Sequence, residues 1–210
     1  MDQIDRRTDG DSEIITIPYG AWLKHETHGE GHARITAKYA DLHGRESDYS
    51  KGEYGESLLN EDTVVRLVRD KVRDRLDAVW ILRRVPGKYM KMRSSWWRDP
   101  RDMSREERES LFSKLQVAAQ EQGMPLIVEP DINDNALADT FDALGFSAVW
   151  DGRELEGIMG DDFAATHSIH SKNRYNELRF TVQNTLGSEG APRRSYVSYP
   201  EWMTSRKRVV

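Results

Sequence analysis

The chain predicts an α/β protein, and three observations carry that prediction. Ser104 and Glu107 stand at capping-box spacing ahead of a helical apolar pattern. MPLIVEP (124–130) is a short apolar run of the kind that forms a strand buried on both faces. Residues 133–146 read as a second capped helix closed by a Gly-Phe pair.

In chain order, ITIPYGAWL (15–23) and ARITAKYADL (33–42) read as two strands around a glycine-rich hairpin turn, which places His25, His28 and His32 in solvent. Glycine at 29 and 31 argues against a helix that would put the rings on one face, and His-Glu-x-His lacks the spacing of a metalloprotease helix, so no metal site is expected. LNEDTVVRLVRDKVRDRL (59–76) predicts a helix, with Val64, Val68, Val72 and Leu76 on one face. DAVWILRRV (77–85) and KYMKMRSSWW (88–97) predict two strands joined at Pro86-Gly87, with Trp96 or Trp97 packed inward.

A helix is expected from residue 105. Leu111, Phe112, Leu115, Ala118 and Ala119 form its apolar stripe, and Gly123 stops it. After MPLIVEP, Asn133, Asp134 and Asn135 offer an N-cap. Leu137, Phe141 and Leu144 make a stripe, Gly145 supplies a left-handed terminus, and Phe146 folds back on the last turn. FSAVW (146–150) is the next strand, and Asp151-Gly152 predicts a hairpin turn into RELEGIM (153–159), which carries Glu154 and Glu156.

The spacing from Pro100 through the capped helix and MPLIVEP to Leu144-Gly145-Phe146, with weaker support upstream, resembles the second half of a GNAT-type N-acetyltransferase over about residues 57–160. The resemblance implies a GNAT-like mixed sheet flanked by helices in residues 57–165. A β-rich N-terminal extension (1–56) would precede it, and a C-terminal extension with an extended arm (166–210) would follow. It also implies transfer of an acyl group from acyl-CoA to an amine. Backbone N–H groups of Met103, Ser104 and Arg105 would then hold the cofactor, and Glu129 would accept the amine proton.

Two positions depart from that family. Its Arg/Gln-x-x-Gly-x-Gly/Ala loop is here Met103, Ser104, Arg105, Glu106, Glu107 and Arg108, with no glycine and two carboxylates. The tyrosine that often precedes the closing glycine by four residues is Phe141, which has no proton to give. These departures lead to an expectation of no cofactor, or acyl-CoA bound more weakly than about 1 mM. They also raise the alternative of a non-enzymatic assembly or interaction protein on a GNAT-like fold, such as a bacteriophage virion component.

Composition bounds the other classes. The chain has 210 residues, 37% hydrophobic and 32% charged, enough for one ordinary core with appendages. Zero cysteines exclude disulfides and thiolate chemistry, which fits the cytoplasm or a virus particle. No apolar run approaches the length of a membrane span, and a formal charge of −5 argues against a dedicated nucleic-acid binder. His167 and His170 lack the paired motifs of two-histidine phosphoesterases. From Ser188 onward, Gly, Pro, Ser and Arg interleave with Tyr196, Tyr199 and Trp202, the composition of an arm that docks on other protein subunits or packs back on its own domain. A docking arm predicts that residues 191–210 can be deleted with the domain still folded.

Overall fold

The first four strands form an antiparallel meander. In the computed structural model, β1 (Asp5–Asp9) pairs with β2 (Ser12–Pro18), β2 with β3 (Thr63–Asp70), and β3 with β4 (Arg75–Val85). The structure describes residues 4–43, 55–56, 58–59, 62–129, 135–149, 152–160, 195–200 and 203. They fall into two compact units, Met1–Val85 with Lys91–Leu115, and Pro86–Met90 with Gln116–Val210.

Along the chain, β5 (Tyr89–Trp97), which belongs to the first unit from Lys91 onward, follows β4 after the expected turn, where Gly87 adopts φ +73°. One sheet face carries Ile15, Ile17, Val65, Leu67, Val79 and Ile81, which pack with Tyr19 and Trp22 of α1 (Tyr19–Trp22) and Ile35 of α2 (His28–His43). Alternation turns Trp80 to the other face, where its ring lies 6.3 Å from Phe112 of α3 (Arg105–Gln120). Trp97 meets Phe112 edge-on at 5.5 Å. Helices thus flank the sheet, as the α/β class requires.

Two expectations for this unit are overturned. Residues 59–76 do not form a helix: Thr63–Asp70 is a strand, and Val72 sits 74% exposed in the turn after it. Val64 and Val68 share a helical spacing, but β3 is buried on both faces, and a strand of that kind mimics any period. The glycine-rich hairpin is likewise absent, because Gly29 and Gly31 lie inside α2.

Gly31 has a packing reason to be there. A Cβ at 31 would stand 2.9 Å from Cζ2 of the fully buried Trp22 and 3.4 Å from Val79, whereas one at 29 meets nothing within 4 Å. Gly29→Ala is therefore expected to stabilise by up to about 1 kcal/mol through helix propensity. Gly31→Ala is expected to destabilise, since overpacking costs roughly 1–3 kcal/mol and outweighs that gain. Thermal melts of the two variants moving in the same direction would contradict this packing.

In the second unit, β6 (Leu126–Val128) is fully buried, as MPLIVEP led one to expect, and Met90 N–H donates to the Pro125 carbonyl beside it at 2.8 Å. The strand β7 (Ser147–Val149) also appears where expected. Between them in pairing order lies β8 (Ser195–Ser198), antiparallel to both. The part of the expected arm that carries Tyr196 is thus an inner strand.

The helix α4 (Asn135–Ala143) ends as predicted. Gly145 adopts φ +75°, Phe146 N–H reaches the Phe141 carbonyl at 2.9 Å, and the two rings are 5.0 Å apart. The Asp151-Gly152 hairpin gives way to α5 (Gly152–Met159), because Leu155, Ile158 and Met159 recur at helical spacing and bury one stripe. Asn133, Asp134, His167, His170 and Trp202 lie outside the described residues.

Candidate functional site

The loop that leads into α3 is closed by its own side chains. Asp99 caps the 3-10 turn Pro100–Asp102 by accepting from the Arg101 N–H at 2.9 Å, and Met103, 6% exposed, anchors the loop in the core. Arg108 of the first helical turn reaches back to donate to the Pro100 and Met103 carbonyls at 3.1 and 2.7 Å.

The capping box forms as the sequence predicts. Glu107 N–H donates to Ser104 Oγ at 3.2 Å, and Ser104 N–H donates to Glu107 Oε2 at 2.8 Å. Ser104→Ala is expected to cost about 1 kcal/mol, within the range of roughly 0.5–2 for lost N-caps, read as a lower thermal midpoint.

The predicted cofactor residues Met103, Ser104 and Arg105 are contiguous at this helix start, and the N–H groups of the first two and the side chain of the third are engaged within the chain. Met103 N–H points to the Pro100 carbonyl at 3.3 Å, Ser104 N–H to Glu107, and the Arg105 guanidinium to Glu109 at 2.6 Å. The Ser104 N–H and then Arg98 hold the Glu107 carboxyl below its ordinary range. Glu106 is lowered as well, chiefly by its own backbone N–H and then by the Ser104 hydroxyl. Two ionised carboxylates therefore occupy the positive end of the α3 dipole.

The candidate base, Glu129, follows β6 in the second unit. It is half-buried and accepts from Ser195 Oγ at 3.4 Å. Phe141 is fully buried, its ring 5.0 Å from Phe146 and 4.7 Å from Tyr196. The hydrophobic role of this position is settled by that stack, which leaves it no part in proton transfer.

The N-terminal histidines lie in α2 and just ahead of it. His25 Nδ1 lies 2.9 Å from Thr27 Oγ1 and its Nε2 lies 3.2 Å from Arg6, while His28 packs edge-on against Trp22 at 4.7 Å. A polar cleft of about 310 Å³ opens beside them, lined by Arg6, Glu13, Glu26, Glu30 and Arg69. Its charges are paired across it, Arg6 with Glu26 at 3.1 Å and with Glu13 at 3.6 Å. Among the described residues, no group of three or more His, Cys, Asp or Glu could hold a metal ion. No helix among them is long and apolar enough to cross a membrane.

Sequence reasoning missed the charged residues around Glu107. Arg98 and Arg73 approach its Oε1 at 3.2 and 3.8 Å. Reading 59–76 as a helix concealed Arg73. The available signal was Asp70 followed by exposed Val72 and Arg73, since an Asp that accepts from backbone N–H groups two and three residues on marks a turn.

No protein-family model matches the chain, and no curated protein matches it. Among solved structures it is similar to a ribosomal-protein-S5-alanine acetyltransferase from Vibrio fischeri, at 13% identity and TM-score 0.46, over 69% of this chain and 84% of that one. It is also similar to an N-acetyltransferase from Staphylococcus aureus Mu50, at 12% identity and TM-score 0.45, over 90% and 97% of the two chains. An uncharacterized protein from Bacillus halodurans follows at 12% identity and TM-score 0.39, over 70% and 82%. The class is defined by the chain's own elements. The strands β4 and β5, the loop, capped α3, buried β6, α4 closed by Gly145-Phe146, and β7 follow one another in the expected order. They make an α/β fold, strands with helices between them.

Proposed function

We propose that this chain uses a GNAT-type frame as an interaction module and does not carry out acyl-CoA-dependent transfer. The observation that supports this reading is the occupied start of α3, where Ser104 N–H and Glu107 N–H are bonded inside the capping box and the Glu107 carboxylate is flanked by Arg98. A diphosphate placed there would meet Glu106 and Glu107, and like charges in the first turn repel it. The residues present do not fit that group, so no chemical step is assigned to it. Partners are other protein subunits, met through the C-terminal segment that holds Tyr199 and Trp202.

Calorimetry with acetyl-CoA tests the reading, together with a mass-spectrometric assay for acyl transfer to amines. The expected result is a dissociation constant weaker than about 1 mM and no transferred acyl group. Micromolar binding with turnover would restore the transferase reading, in which Glu129 accepts the amine proton.

A further inference from the structure

Six charged side chains in the first unit form a closed ring that joins the β3–β4 turn, the end of β5 and the first turn of α3. Asp70 Oδ2 meets Arg73 Nη1 at 3.0 Å, and the same Arg73 atom meets Glu107 Oε1 at 3.8 Å. Glu107 Oε1 meets Arg98 Nη2 at 3.2 Å, and Arg98 Nε meets Asp77 Oδ1 at 3.8 Å. Asp77 Oδ1 meets Arg75 Nε at 3.0 Å, and Arg75 Nη2 returns to Asp70 Oδ2 at 3.8 Å. Three carboxylates alternate with three guanidiniums, so every charge has a neighbour of opposite sign on both sides.

The ring is anchored to backbone at two separate places. In the turn, Asp70 Oδ1 accepts from the Val72 and Arg73 N–H groups, both at 2.9 Å. At the helix start, Glu107 Oε2 accepts from the Ser104 N–H. Asp70, Asp77 and Arg98 are 12%, 14% and 19% exposed, which shields that part of the ring from solvent. Isolated exposed pairs are worth little, but side chains bound to two partners each are already ordered by one when they meet the other.

We infer that this ring is a conformational latch: the β3–β4 turn and the N-terminal cap of α3, 30 residues and more apart in sequence, open and close together. The physical warrant is shared partners. Losing Asp77 frees both Arg75 and Arg98, which weakens the hold on Asp70 on one side and on Glu107 on the other. The pair Arg101 with Asp99 is not a member of the ring and serves as the comparison.

Amide hydrogen exchange on the full chain tests the latch, with Asp77→Asn as the variant and Asp99→Asn as the control. The expected result for Asp77→Asn is exchange faster by about three- to tenfold at both Val72–Arg73 and Ser104–Glu107, the size of coupling found between groups in one network. In Asp99→Asn the turn amides should keep their wild-type rates. If Asp77→Asn accelerates only one of the two places, or neither, the latch is overturned. A salt series on the wild-type protein decides the matter if that variant does not fold. Between roughly 0.05 and 1 M salt the Debye length shrinks severalfold, so both amide groups should accelerate in parallel. Independent responses would refute the coupling.

Discussion

Truncation of the chain before Ser195 is expected to abolish cooperative folding of the second unit. β8 is the common partner of β6 and β7: Ile127 and Ala148 pair with Val197 and Tyr196, the inner residues of that strand. Its removal strips ladder partners from Leu126, Ile127 and Val128, which are fully buried. Each buried backbone group left without a partner costs roughly 1–3 kcal/mol. Tyr196 and Val197, 5% and 0% exposed, add about 1.5–3 kcal/mol of lost burial each, and Phe141 loses the ring stacked on it. Gln116 also loses Ser198 Oγ, to which its Nε2 donates at 2.7 Å. The sum approaches the whole stability of an ordinary domain, about 5–15 kcal/mol. Circular dichroism and limited proteolysis of residues 116–194 should report this loss. A truncated protein that melts within a few degrees of the full chain would mean that the tail is the detachable arm its composition suggests.

Replacement of Phe112 by alanine should be the most damaging single change in α3. Phe112 is fully buried between Trp80 of β4 and Trp97 of β5, and truncating such a ring costs about 3–5 kcal/mol through lost transfer energy and the cavity left behind. At roughly 2–4 °C per kcal/mol for a chain of this size, the thermal midpoint should fall by about 6–20 °C. Val117→Ala is the matching control on the same helix. Val117 is 39% exposed, and a change there should stay within about 0.5 kcal/mol apart from helix propensity. Similar melting of the two variants would mean that α3 does not bury the stripe on which the fold depends.

The stretch from Pro100 to Phe146 was largely legible because its signals are local. A capping box acts over three residues, a glycine terminus acts on its own helix, and both work through backbone groups that sit beside them in sequence. Ser104 with Glu107, and Gly145 with Phe146, therefore take the predicted geometry. The loop's closed state was partly legible too. Two glutamates and no glycine could be read directly, whereas Arg73, which flanks Glu107 together with Arg98, comes from a turn distant in the chain.

The misread segments share a different cause. The 63–70 run is buried on both faces, so its apolar pattern reports burial and says nothing of period. The two glycines near 30 have the local preference of helix breakers. Gly31 is tolerated in α2 because Trp22 and Val79 leave no room for a Cβ, a fact set by residues on other elements. Asp151-Gly152 has the composition of a tight turn, but Leu155 and Met159 bury a helical stripe and override it.

What the residues alone determined is the α/β class, the capped helix with its buried strand, and a loop that departs from the GNAT-type pattern its surroundings resemble. All of these follow from near neighbours. Tertiary structure decided that β8 is an inner strand, that the 63–70 run is β, and that the helix start is tied by charges to a turn more than 30 residues away. Those outcomes depend on which surfaces meet, and the free energy of burial and charge pairing between distant segments outweighs the weak local preferences of each.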